Sequence, residues 1–156
     1  MNGAQLQVFI LAFLAATTAW AADSPDPEPK APKDPALEQA RAVIGKQDWA
    51  GAQKILRDAV ARNPQDADFH NLYAYSIRKG TSPAMDVVFR HYNEALRLDP
   101  RHRGAHEYIG EAYLMSGNVP KAKEHLAQLD KLCTFGCEEY TKLKKEVAAF
   151  EQQAKK

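Results

Sequence analysis

The sequence contains two cysteines, Cys133 and Cys137, with Thr-Phe-Gly between them. Two thiols at this spacing can form a disulfide, act as a redox pair or hold a soft metal ion. Gly136 allows the backbone to turn so that the two sulfurs approach each other. In an oxidising compartment an isolated pair is expected to form a bridge, so we predict a structural disulfide that ties a C-terminal helix to the preceding one.

Redox or copper chemistry is the alternative use of these cysteines. Cys137 would begin the C-terminal helix, where the helix dipole favours the thiolate. Copper carriers of the thioredoxin-like class also place three residues between two cysteines, but this chain lacks the strand pattern of that fold. The alternative is therefore a thiol-redox or copper-handling accessory factor whose chemistry resides in Cys133 and Cys137.

Histidines offer a weaker metal-binding pattern. His102 and His106 have the i, i+4 spacing that can place two imidazoles on one side of a helix. His106 repeats the position of His70, which favours packing, and zinc would need further ligands. Since no nucleotide loop, phosphate cradle or nucleophile motif is found, we predict no metal, no cofactor, no catalytic residues and no enzyme activity.

The segments that position these residues repeat along the chain. Gly110 corresponds to Ala74 and Ala40, and Leu129 to Ala95 and Ala59, at steps of 34 or 36 residues. Along the chain, the first helices of successive units are separated by 34 and then 36 residues, whereas the second helices are separated by 36 and then 34. Two residues are therefore inserted between the helices of the second unit, in the turn at residues 80–83. Small and large residues in this order indicate a helix-turn-helix repeat.

This pattern resembles the tetratricopeptide repeat (TPR) family. The resemblance implies an all-α, right-handed solenoid of three helix-turn-helix units, at about residues 35–66, 67–102 and 103–134. Large apolar residues at helical spacing, such as Leu56, Tyr92 and Leu129, are predicted to pack between the helices. Residues 135–156 are predicted to form a capping helix, because Tyr140, Leu143, Val147 and Phe150 make one apolar stripe on an otherwise charged segment.

Turn residues predict where the helices begin and end. The first helix of each unit is predicted to end at a glycine, namely Gly45, Gly80 or Gly117. The second helix is predicted to begin at a capping side chain, namely Asp48, Ser82 or Asn118, with Pro83 as the first helical residue of the second unit.

The TPR resemblance also implies a concave groove along the first helices that receives a peptide or a partner's helix. Carried over by position, its residues are Arg41, Asn71, Tyr75, Arg78, Glu107, Glu111 and Leu114. Asn, Tyr and Arg can bond a peptide backbone and a carboxylate. The family's clamp for terminal carboxylates uses Lys, Asn and Arg, whereas this chain has acidic residues at two of those positions, so acidic tails are not the expected ligand.

The first 34 residues differ from the rest of the chain. Residues 1–21 contain no Asp, Glu, Lys or Arg and end in Ala19-Trp20-Ala21, which indicates a secretory signal cleaved before Ala22. No Lys or Arg precedes the apolar run, so a retained anchor is the alternative. Residues 22–34 alternate proline with charge, which is typical of a disordered linker. We predict a periplasmic or secreted protein.

Charge and composition limit the partners. The chain has 156 residues and a formal net charge of +1, without the basic patch that nucleic-acid binders carry. We therefore predict a protein or peptide partner, no nucleic acid, and no membrane insertion once the signal is removed. The chain is expected to be a monomer or to self-associate weakly.

Overall fold

The computed structural model describes residues 34–154. This part consists of seven α-helices without a β-strand: α1 (Pro35–Gly45), α2 (Trp49–Arg62), α3 (Ala67–Arg78), α4 (Met85–Leu98), α5 (Arg103–Met115), α6 (Val119–Leu132) and α7 (Glu138–Gln153). The predicted all-α class, with three helix pairs and a C-terminal capping helix, is confirmed. The predicted signal peptide and residues 22–33 of the predicted linker lie outside the described residues. None of the helices described is long and apolar enough to cross a membrane.

Side-chain caps fix the start of most helices. Asp48 accepts a hydrogen bond from the Gly51 amide at 2.9 Å, and Asn118 accepts one from the Lys121 amide at 3.2 Å. Each bond satisfies an amide that has no partner inside its helix and contributes about 1 kcal/mol to stability. The predicted caps at Asp48 and Asn118 are therefore confirmed, as is the end of α1 at Gly45.

The predicted turn of the second unit is wrong by two residues. Helix α3 ends at Arg78 rather than Gly80, and α4 begins at Met85 with Ala84 as its N-cap, rather than at Pro83 with Ser82. Ala84 lies 36 residues after Asp48 and 34 before Asn118, so it occupies the same position in the repeat. The packing of α4 on α3 sets this position, and α4 starts without a side-chain cap because alanine has no acceptor.

Three adjoining cores hold the array together. Leu56 and Phe69 lie in the first core, Tyr92 and Ile109 in the second, and Leu129 in the third, all without solvent exposure. Phe69 and Ile109 each come from the unit after the one whose core they fill. Each helix pair therefore buries its apolar face only when the next one is stacked on it.

Helix α7 completes the third core. Its Leu143 and Val147 are buried, and the Leu143 side chain lies directly over Gly110 of α5. A Cβ atom at residue 110 would come within 2.5 and 2.8 Å of the two methyl carbons of Leu143. Ion pairs join α7 to α6 through Lys123 and Glu151, and to α5 through Arg103 and Glu139.

Two histidine pairs join the helices of the second and third units. The Nδ1 atoms of His70 and His91 are 2.8 Å apart, and those of His106 and His125 are 3.0 Å apart. The Nε2 atoms of His70 and His106 lie 3.1 Å from the carbonyl oxygens of Pro64 and Pro100, respectively. The sequence predicted packing roles for His70 and His106 but missed their partners.

The carbonyl bonds define the protonation of each pair. A carbonyl oxygen only accepts, so Nε2 of His70 carries a proton, and in the neutral ring its Nδ1 is an acceptor. His91 must then donate through its Nδ1, and the same holds for His125 toward His106. A pair can hold one extra proton, but a second would break the Nδ1–Nδ1 bond.

We predict that Gly110→Ala destabilises the protein by about 1–3 kcal/mol, because the new methyl group overpacks the buried contact with Leu143. Denaturant unfolding measures the change. Gly45→Ala is the matched control, since nothing lies within 4 Å of a Cβ at that helical glycine, and it should be neutral or stabilising. Combining Gly110→Ala with Leu143→Val should cost less than the sum of the single changes. Additive effects would show that the contact is absent.

We predict that the histidine pairs make stability fall in acid. Burial, followed by the charge of the partner ring, lowers the pKa of His91 and of His125 to about 4. Between pH 6.5 and 4 the unfolded chain therefore binds more protons than the folded chain, and the free energy of unfolding decreases as the pH falls. Allowing for partial exposure, the loss is on the order of 1 kcal/mol per pair.

Asparagine variants test this dependence on pH. His91→Asn and His125→Asn keep a hydrogen-bond donor near the Nδ1 position but cannot titrate. Thermal unfolding from pH 7 to pH 4.5 should show a smaller decrease in melting temperature for each variant than for the parent. Equal decreases would mean that the pairs do not cause the loss.

Candidate functional site

A concave cavity of about 650 Å³ lies between α3, α5 and α7. We call it the inner groove. Its lining combines aromatic, apolar and charged side chains from the three helices: Tyr75, Arg78 and Lys79 from α3, Glu107, Tyr108, Glu111, Leu114 and Met115 from α5, and Lys142, Glu146, Ala149, Phe150 and Gln153 from α7. The structure thus brings together five of the seven groove residues expected from the TPR resemblance, and α7 adds a third wall.

Arg78 forms the floor of the inner groove and is only 6% exposed. Its Nη2 donates to Glu111 Oε2 at 2.6 Å, its Nε donates to the Tyr92 hydroxyl at 3.3 Å, and its guanidinium carbon lies 5.5 Å from the centre of the Tyr75 ring. Burial alone would lower the pKa of Arg78, but Tyr92 and Glu111 outweigh it and the net shift is upward. The guanidinium is therefore bonded within the chain rather than free to bind an external carboxylate.

Glu107 is the unusual acid of the inner groove. It is 4% exposed, and within residues 34–154 its carboxylate makes neither a hydrogen bond nor an ion pair. Burial and then the charge of Glu111 raise the pKa of Glu107 to about 7, while Lys142 acts in the opposite direction. Near neutral pH this side chain is therefore divided between its protonated and charged forms.

Two predicted groove residues lie outside the cavity. The guanidinium of Arg41 is half-exposed, with Nη2 3.5 Å from Asp68 Oδ1. Asn71 is 3% exposed, and its Oδ1 is buried without a hydrogen-bond partner. Its Nδ2 lies 3.4 Å from the place of a Cβ at Gly104, so Asn71 lies between α3 and the start of α5.

Sequence reasoning missed the wall that α7 contributes. Lys142 and Glu146 follow Glu107 and Glu111 by 35 residues, close to the repeat length. The capping helix therefore continues the row of first helices, and its polar residues face the groove. The repeat register contained this signal, but the segment was interpreted only as a cap.

The two cysteines form the predicted disulfide at the junction of α6 and α7. Cys133 follows the last residue of α6, Cys137 is the N-cap of α7, and their Cα atoms are 5.5 Å apart. Cys137 Sγ accepts a hydrogen bond from the Tyr140 amide at 3.4 Å. Gly136 has a φ of +83°, which glycine adopts without strain. Phe135, inside this loop, is fully exposed.

The candidate metal ligands His102 and His106 form hydrogen bonds with different partners. His102 caps α5, with Nδ1 accepting from the Ala105 amide at 3.1 Å and Nε2 3.3 Å from Asp68 Oδ1. His106 instead bonds His125 and the Pro100 carbonyl. Across residues 34–154, no three His, Cys, Asp or Glu side chains are grouped so that they could hold a metal ion.

Solved structures with a similar fold include TPR domains bound to peptides. The type III secretion translocator chaperone SycD of Yersinia enterocolitica has a TM-score of 0.67 at 14% identity, over 78% of this chain and 84% of that chain. SycD in complex with a peptide of the translocator YopD has a TM-score of 0.62 at 15% identity, over 77% and 89%. The first TPR of Spaghetti (RPAP3), bound to the HSP90 peptide SRMEEVD, has a TM-score of 0.63 at 15% identity, over 78% and 91%. These similarities concern the fold.

Sequence comparison identifies the repeat itself. No curated protein matches the chain. The sequence profile described as tetratricopeptide repeat matches residues 37–80 and 90–133, which together make up more than half of the 156 residues. The matched residues contain α2, α3, α5 and α6 completely and most of α1 and α4, which are the six helices of the three stacked units. The chain therefore belongs to the tetratricopeptide repeat family.

Proposed function

We propose that this protein is an exported TPR scaffold whose inner groove binds a peptide segment or a helix of a partner protein in the cell envelope. The observation that carries the proposal is the groove of about 650 Å³, enclosed on three sides by helices and lined by aromatic and charged side chains. Pockets of this size with a few convergent polar groups are typical of binding sites. The structural neighbours SycD and RPAP3 each bind a peptide of another protein.

Export is the second part of the proposal. It is supported by the uncharged, apolar residues 1–21, by the Ala-Trp-Ala sequence before Ala22, and by the disulfide between Cys133 and Cys137. Disulfides persist in oxidising compartments such as the periplasm. Binding, rather than catalysis, is the activity that this fold supports.

A thiol-redox or copper-handling role is the second candidate. One observation favours it: Cys137 is the N-cap of α7, and its sulfur already accepts a backbone hydrogen bond. After reduction, this position would stabilise a thiolate. The repeats would then dock the pair to its client.

We predict that shortening apolar side chains in the inner groove weakens binding of the partner protein. Met115, which is 56% exposed, and Phe150 both line the groove. In a crosslinked pull-down from the envelope fraction, the double variant Met115→Ala/Phe150→Ala should recover at least tenfold less partner than the parent protein. A tenfold loss of affinity corresponds to about 1.4 kcal/mol of binding free energy. Phe135→Ala is the matched control, because it removes an exposed aromatic ring outside the groove.

Because Phe150 also packs against the third core, its truncation is expected to lower the melting temperature. Each bait must therefore first show native helicity at the temperature of the pull-down, below its own melting transition. Loss of the partner with Phe135→Ala or with Cys133→Ser/Cys137→Ser, but not with the groove variant, would overturn the groove as the binding site and favour the disulfide loop. Retention by every variant would also exclude the groove.

We predict that the disulfide is structural. Closing a loop of five residues should stabilise the fold by about 2 kcal/mol through the entropy of the unfolded chain. Denaturant unfolding with and without reductant should show this difference, and Cys133→Ser/Cys137→Ser should match the reduced protein. A bridge that exchanges rapidly with mild thiols at little cost in stability would instead support the redox role.

A further inference from the structure

Within the part of the chain that the structure describes, some charged side chains that line the inner groove form ion pairs and others do not. Arg78 is paired with Glu111, and the Lys142 ammonium lies 2.7 Å from Glu138 Oε1. Glu107 has no such partner within residues 34–154; the residue as a whole is 4% exposed, and its carboxylate oxygens remain in contact with solvent in the groove. Partial burial raises the free energy of the charged carboxylate, and a cation or hydrogen-bond donors would compensate for the hydration it has lost. The groove therefore contains an acid for which the chain supplies no bonded base.

We propose that the inner groove recognises a segment of its partner that carries a lysine or arginine side chain, and that Glu107 is the residue that contacts this cation. The inference rests on the proposed binding function and specifies the partner's chemistry. A basic side chain would supply the missing ion pair and charge-assisted hydrogen bonds. An acidic segment would instead bring a further negative charge next to Glu107 and Glu111.

The walls of the groove indicate what should flank the basic residue. Leu114, Met115 and Phe150 form an apolar side, and the rings of Tyr75 and Tyr108 lie 4.6 Å apart, centre to centre. The Arg78 guanidinium already lies over both rings, 5.5 Å from the centre of Tyr75 and 5.9 Å from that of Tyr108, so these rings offer the segment apolar contact. The segment that fits is therefore one in which a basic side chain adjoins at least one large apolar side chain.

Ionisation of Glu107 links this recognition to pH. The groups around it are Tyr108 and Glu111 on its own helix, Glu138, Glu139 and Lys142 on α7, and Tyr75 and Arg78 of α3 across the groove. A cationic ligand binds the charged form of Glu107, whose pKa in the free protein is raised to about 7 mainly by burial. Affinity should therefore be about tenfold higher at pH 8 than at pH 6, since binding at the lower pH must release a proton.

Selection from a displayed library of random twelve-residue peptides tests the proposal. The folded protein with its disulfide intact is panned at pH 8, and the peptides that bind are sequenced. We expect lysine or arginine to be enriched next to a large apolar residue. The same selection with Glu107→Gln, which keeps the shape and removes the charge, should lose the basic enrichment. Glu124→Gln is the matched control, because it removes one acidic charge from an exposed pair with Lys121 outside the groove.

Affinities of the selected peptides provide the second measurement. Replacing the basic residue by the uncharged norleucine should weaken binding to the parent and to Glu124→Gln at least tenfold, but should change binding to Glu107→Gln less than threefold. The preference for the basic peptide should increase from pH 6 to pH 8 only where Glu107 is present.

The outcomes separate the two proposals. In the first outcome, Met115→Ala/Phe150→Ala abolishes binding of the selected peptides, so the groove is a peptide site. If those peptides nevertheless contain no excess of basic residues, or if the excess persists with Glu107→Gln, the proposed role of Glu107 is wrong. If the library yields no binder, or only binders that tolerate the groove variant, the proposed function fails, and the inference fails with it.

Discussion

Close packing at one position of each repeat is the constraint on which the structure depends. Ala40 and Ala74 occupy this position without solvent exposure, and Gly110 occupies it in the third unit. At Gly110 a methyl carbon of the buried Leu143 of the capping helix lies 2.5 Å from where a Cβ would be. The small residue at position 110 therefore allows close contact between α5 and α7, two of the three helices that line the inner groove.

The ion pair between Arg78 and Glu111 is a second constraint, because both of its charges are used within the chain. The Arg78 side chain is 4% exposed and that of Glu111 is 24% exposed. Removing one partner of a buried pair typically costs about 3–5 kcal/mol, because the other charge is left without compensation. Arg78 and Glu111 therefore stabilise the floor of the groove, and neither is available to bind a ligand on its own. Glu107 is the buried acidic side chain of the groove that makes no ion pair within the described residues, and for this reason we propose it as the contact for a basic ligand.

The sequence was sufficient for the features that repeat or are local. Repeat spacing predicted the helix pairs, an apolar stripe predicted the capping helix, and the two cysteines predicted their disulfide. The TPR resemblance predicted seven groove residues, and the structure places five of them around one cavity. Features that depend on contacts between helices were not accessible in this way. His91 and His125 are recognisable as partners of His70 and His106 only when the second helix is packed on the first. The cap at Ser82 failed because a local preference for serine conflicted with the register that packing imposes on α4.

Helix α7 has two structural roles, and these would couple stability to the proposed binding. The same helix covers the third core with Leu143 and Val147 and lines the groove with Lys142, Glu146 and Phe150. Its start is tied to α6 by the disulfide between Cys133 and Cys137. A ligand that contacts both α5 and α7 therefore stabilises the arrangement that the disulfide also stabilises. Because such coupling is reciprocal, opening the disulfide would weaken binding of such a ligand by the same free energy by which the bound ligand disfavours that opening.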